Sequence, residues 1–113
     1  MSHRTLAAVL VVVALGGACS SPPEVPVGPD GQPDPVLAQG RDIFGSRCSS
    51  CHGTSGGGNR GPNIQSEAVT TKYPDIADQT RVIGEGRNQM PAFGNRLTPQ
   101  EIEAVARYTR EVL

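Results

Sequence analysis

The sequence predicts an all-α domain joined by long connections rich in glycine and proline. Apolar residues recur at helical spacing near both ends of its C-terminal part. A complete helix-start signal precedes the last segment, and no stretch sustains the alternation of a strand. At 113 residues there is room for one domain. With no Trp, two Phe and two Tyr, that domain is short of apolar bulk. A small chain of this kind needs a staple: disulfides, a metal or a cofactor. The net charge of -1 argues against nucleic acid, which selects basic surfaces.

The N-terminus reads as an export signal over residues 1–18. His3 and Arg4 precede an apolar run from Leu6 to Leu15. As a helix this run spans about 15 Å, half of the roughly 30 Å that a membrane crossing requires. The small residues that follow end in Cys19, and the junction resembles a bacterial lipoprotein signal, in which the cysteine is lipidated and becomes the new N-terminus. Gly16 stands where that pattern favours Leu. The alternative is plain cleavage after Ala18, which leaves an unpaired thiol on an exported chain.

Residues 19–35 read as a linker. From Ser20 to Pro35 they carry six prolines and little that can pack. In polyproline form these residues reach roughly 50 Å, so a lipid on Cys19 makes the segment a tether. The expected domain is 36–113.

Its first helix places Leu37, Gly40, Phe44 and Cys48 on one face. Gly40 costs a helix about 1 kcal/mol relative to Ala, so its presence implies a close approach of another backbone. Residues 73–86 can hold one or two short helices, stopped by Gly84 and Gly86. The last helix opens with Thr98 as cap, Pro99 at the first position and Glu101 completing a capping box. Ile102, Val105, Ala106, Thr109 and Leu113 line its inner face, with Tyr108 beside it.

Cys48, Cys51 and His52 form Cys-x-x-Cys-His ahead of a stretch rich in glycine and serine. A structural zinc site needs four ligands, and no second pair follows. A dithiol oxidoreductase places its cysteines after a strand, and none leads in here. A disulfide across two residues closes too small a loop to stabilise much. The same five residues are the signature of c-type haem attachment, in which both thiols bond the haem and the histidine meets the iron.

Gly40 and Phe44, then the Cys-x-x-Cys-His motif, Gly61-Pro62, Met90-Pro91 and Tyr108 stand in an order that resembles a small bacterial class I cytochrome c. The resemblance covers residues 36–113. It implies three to five helices wrapped around one covalently attached haem, with the first and last helices crossing at Gly40. It also implies that the Pro62 carbonyl accepts the other ring N–H of His52.

For the sixth iron position, removal of the signal leaves no histidine but His52 and no methionine but Met90, with Lys72 the remaining candidate. Met90 lies 38 residues beyond His52 in a punctuated loop, and Met/His ligation raises a haem's potential. Arg60, Tyr73, Arg87 and Asn88 are candidates for the haem propionates. Together these features describe an exported monohaem electron carrier, not an enzyme. Its expected partners are redox proteins, met through an apolar patch at an exposed haem edge. A haem enzyme or gas sensor with an open sixth position, and a fixed relay within one enzyme complex, are the alternatives.

Overall fold

A computed structural model describes residues 20–113; the signal reading of 1–18 and the lipidation of Cys19 lie outside the described residues. Helix α1 (Pro35–Ile43) runs into a π-helical turn (Phe44–Cys48) and then the short α2 (Ser49–His52). Three helices follow: α3 (Ser66–Lys72), α4 (Ile76–Glu85) and α5 (Pro99–Glu111). Among the described residues there is no strand, only isolated bridges at Val27/Pro33 and Arg87/Met90.

The helix-start signals act as written. The Thr98 hydroxyl accepts from the Glu101 N–H, and the Glu101 carboxylate accepts from the Thr98 N–H. Pro35 opens α1, capped by Asp34, whose carboxylate takes the amides of Val36 at 2.8 Å and Leu37 at 3.2 Å.

These two helices cross at Gly40. A methyl group there would drive into the Ala104 carbonyl oxygen and stand 2.8 Å from Tyr108 Cβ. Glycine therefore gives up helix propensity for backbone contact. On the inner face of the crossing the rings of Phe44 and Tyr108 meet with centroids 5.6 Å apart. Phe44, Tyr108 and Val105 are the largest fully buried side chains among the described residues.

The stretch expected as a free linker is docked. The Tyr108 phenol donates to the Pro23 carbonyl at 2.6 Å, and Arg41 grips the Pro22 carbonyl at 2.9 Å and pairs with Glu24. Val25 joins the core cluster, and the Ser20 hydroxyl meets Thr54 at 3.3 Å. Residues 20–25 thus form a strap along α1, and the folded part begins before Val36. One apolar residue suffices because proline carbonyls, which no secondary structure claims, are open to Tyr108 and Arg41.

Helix α3 was not anticipated. Its threonines and Val69 are poor helix formers, and its cap residue, Gln65, makes no side-chain capping bond to the helix. Packing supplies what propensity lacks: Val69 is buried, and the Ser66 hydroxyl donates to the Arg110 carbonyl at 2.6 Å. Helix α4 runs through Gly84, expected as a stop, and ends at Gly86, where φ is 76°.

Gly40→Ala is expected to lower the unfolding free energy by about 1–3 kcal/mol, since neither helix backbone can yield. Gly45→Ala meets only the Pro22 ring, at 3.2 Å, and should cost less than half as much. Equal shifts in denaturant midpoint would contradict the crossing as the tight point. Burial holds the Tyr108 phenol above its ordinary 10.0. Its contribution is therefore whole below pH 10 and is lost as pH climbs through the folded value. Tyr108→Phe should accordingly show a smaller alkaline loss of stability than the parent.

Candidate functional site

The π-helical turn delivers the motif. Two serines add side-chain bonds to carbonyls one turn back along it. The Ser46 hydroxyl donates to the Asp42 carbonyl at 2.9 Å, and the Ser49 hydroxyl to the Gly45 carbonyl at 2.8 Å. Cys48 ends this turn, and α2 then carries Cys51 and His52. Both thiols are free. Burial pushes the Cys48 thiol up to about 11, with Cys51 adding to the shift. A reactive dithiol pair needs a lowered value, so this environment opposes redox exchange between the two sulfurs.

His52 is buried, and its Nδ1 lies 2.8 Å from the Pro62 carbonyl oxygen. A carbonyl only accepts, so Nδ1 carries the proton and the lone pair of the neutral ring sits on Nε2. The glycine-rich stretch behind the motif is no loose loop. The Gly58 N–H donates to the His52 carbonyl and the Gly61 N–H to the Cys51 carbonyl, each at 2.7 Å. Gly58 can do so because its φ of 105° is open to glycine. A methyl group on Gly61 would stand 2.9 Å from both Cε1 and Nδ1 of His52. That residue's lack of a side chain lets Pro62 reach the ring.

Met90 occupies a separate turn. Its N–H donates to the Arg87 carbonyl at 2.9 Å and its carbonyl accepts from the Arg87 N–H at 3.1 Å. Beyond Pro91 the chain is fastened to the end of α4, through Phe93 to Ile83 at 3.0 Å and Gly94 to Gly84 at 2.9 Å.

The four residues expected as propionate candidates have different surroundings. Tyr73 and Arg87 meet, with Nη1 donating to the phenol oxygen at 3.2 Å. Arg60 points instead at Cys51 Sγ, 3.8 Å away, and Asn88 is the left-handed residue of the Met90 turn, with φ 53°. Lys72 is exposed, its amine 5.6 Å from the centre of the Tyr73 ring. Sequence reasoning missed Arg110, which lies outside every motif yet donates to the carbonyls of Tyr73 and Pro74.

The residues fit a covalently attached haem. Two free thiols stand one helical turn apart beside an imidazole whose Nδ1 is already engaged, leaving Nε2 as the donor to a metal. Ile64, Ile83 and Leu97, with Cys48, pack on the core cluster but stay only partly buried, so apolar surface remains for a large flat group. No cluster of three or more His, Cys, Asp or Glu that could hold a bare metal ion forms among the described residues.

Comparison with known proteins points to the same cofactor, a covalently bound haem c. The family profile described as "Cytochrome C oxidase, cbb3-type, subunit III" matches residues 35–108. Cytochrome c6 of Gracilaria tenuistipitata var. liui is 38% identical over 77 residues, covering 64% of this chain and 68% of its own. The crystal structure of cytochrome c6C from Synechococcus sp. PCC 7002 superposes with a TM-score of 0.56 at 32% identity, over 65% of this chain and 92% of that one. A further likeness, to the dihydro-heme d1 dehydrogenase NirN, has a TM-score of 0.62 at 26% identity. It covers 66% of this chain and 16% of that longer protein.

Gly61→Ala is expected to displace Pro62 from His52 and leave the ring's second nitrogen without a partner. Proton NMR of the reduced protein should show the exchange-protected ring N–H of His52 in the parent and its loss in the variant. Retention of that signal would show that the ring does not need this contact.

Proposed function

We propose that this chain, which belongs to the class I cytochrome c family, carries its covalently bound haem c on Cys48 and Cys51, with His52 and Met90 as the two axial ligands. The chain is an electron carrier, and the haem iron supplies the one-electron exchange. The observation that carries the assignment is the 2.8 Å contact from His52 Nδ1 to the Pro62 carbonyl. It fixes the tautomer, orients the ring and raises the basicity of Nε2 as a ligand.

The remaining roles belong to the protein's own groups. Cys48 and Cys51 hold the haem in place, so it cannot be lost between encounters. The fastened loop from Gly58 to Pro62 keeps His52 from rotating. A thioether from Met90 favours the reduced state and raises the potential, and a sixth ligand closes the iron to small molecules. Ile64, Ile83 and Leu97, only partly buried on the core cluster, would exclude water around the haem. A site that changes little between oxidation states exchanges electrons without rearrangement, which suits a carrier and not an enzyme. The likeness to NirN covers a small part of that enzyme and brings none of its activity here.

The partners are redox proteins, met at the apolar rim of the haem. The mature chain carries nine basic and eleven acidic residues, which gives little long-range steering. Among the described residues no helix is long and apolar enough to cross a membrane. We place the protein outside the cytoplasmic membrane, held by a lipid on Cys19. The docked strap starts at Ser20 beside Thr54, so an anchor at its end holds the haem-bearing turn near the lipid instead of roughly 50 Å away.

Met90→Ala should lose the weak long-wavelength absorbance of oxidised iron–methionine ligation, lower the potential and let the ferrous form bind carbon monoxide. Met90→His should lower the potential with the iron still closed, which separates a lost ligand from lost packing. Rapid carbon monoxide binding by the parent at neutral pH would mean an open sixth position and a sensor or enzyme instead of a carrier. For the anchor, Cys19→Ser should move the cytochrome from the membrane fraction to the soluble one. A parent that is already soluble after cell fractionation would remove the lipid from the account.

A further inference from the structure

The turn that bears Met90 is held differently on its two sides. On the C-terminal side the backbone does the work, with Phe93 and Gly94 bonded to the end of α4 and the Phe93 ring buried. On the N-terminal side the turn closes on Arg87, which exchanges both backbone bonds with Met90. The Arg87 guanidinium then reaches the Tyr73 phenol oxygen at 3.2 Å. Tyr73 does not float, because Arg110 of α5 donates to its carbonyl at 2.8 Å and to the Pro74 carbonyl at 3.0 Å. The same guanidinium donates to the Gln79 side chain at 3.2 Å, and Gln79 donates to Thr109 at 2.8 Å. A continuous path of hydrogen bonds thus runs from α5, the most deeply packed helix, through Tyr73 and Arg87 to the Met90 turn.

We propose that Arg110, Tyr73 and Arg87 are positioning residues for the sixth iron ligand, restraining the Met90 turn so that its thioether stays bound. The inference rests on the reading of Met90 as that ligand. Where the methionine leaves the iron by a swing of its backbone, it carries its turn with it, because Met90 and Arg87 are bonded to each other at both backbone groups. Any such swing stretches the Arg87–Tyr73 contact. That contact therefore adds to the cost of opening and makes an outside ligand compete less well. A merely structural contact would add to global stability and leave the competition unchanged. Gly86 supports the same constraint from below, since a methyl group there would stand 2.7 Å from the Met90 carbonyl oxygen and 2.8 Å from the Ala92 nitrogen. The turn has little room to move except outward, against the side-chain tie.

The test is imidazole competition on the oxidised holoprotein, followed by loss of the iron–methionine absorbance band, with the thermal midpoint recorded alongside. Tyr73→Phe removes one hydroxyl and keeps the ring under Lys72 and the backbone bonds to Arg110. It should lower the half-saturating imidazole concentration about threefold, the effect of losing one modest hydrogen bond. Arg87→Gln should do the same, and the double variant should fall no further than the stronger single one, because both remove one contact. Arg87→Lys, which keeps a cation near the phenol, should recover part of the loss. Unchanged half-saturation in both single variants, or a double effect equal to the product of the two, overturns the inference while Met90 remains the ligand. Variants in which only the thermal midpoint moves overturn it as well. A parent without the methionine band, or a Met90→Ala variant that keeps it, overturns the ligand reading and this inference together.

Discussion

The close crossing of α1 and α5 at Gly40 is the contact on which the rest of the molecule depends. With so few large apolar side chains, the chain cannot build a core by volume, so it builds one by proximity. Gly40 brings two helix backbones together, and the fully buried Phe44, Tyr108 and Val105 fill the angle they enclose. The other described elements make little sense apart from this pair. The strap docks on Tyr108 and Arg41, α3 is held through Ser66 and Arg110, and α4 lays Gln79 against Thr109.

From that crossing two lines of constraint lead to the proposed iron ligands. One passes along α1 through the π-helical turn to Cys48, Cys51 and His52, with glycine-rich backbone returning to lock the histidine ring. The other passes along α5 to Arg110 and the connection between α3 and α4, and from there to the turn of Met90. A single packed contact thereby places His52 and Met90, from two distant parts of the sequence, which is what the proposed six-coordinate carrier requires of so small a chain. Ile64, Ile83 and Leu97 pack on the core cluster yet stay only partly buried, apolar surface that a bound haem would cover.

Much of this was legible in the residues, for identifiable reasons. The capping box at Thr98 and Glu101 is a local signal whose meaning does not depend on context, and it appears as written. Gly40 was legible as an anomaly: a costly residue on an apolar helical face has to be repaid by a close neighbour. The proximity of Pro62 to His52 was legible only through the resemblance, because nothing local says where a loop carbonyl will point. The strap was read as unpacked because its contacts use backbone carbonyls, which every sequence has and no composition reveals. Helix α3 escaped because its stability comes from α5, more than thirty residues later, and its own threonines argue against it. Arg110 escaped for the same reason, since an arginine on a final helix looks like any solvated charge until its partners fold around it.

The central claim is that two thioether bonds, at Cys48 and Cys51, hold one haem beneath His52. The most direct test is the mass of the polypeptide after acid–acetone extraction, on protein matured in a host that attaches haem. The account predicts a chain heavier by one haem, with the added mass on a peptide containing both cysteines. Haem released into the acetone, with the polypeptide at its bare mass, would contradict it.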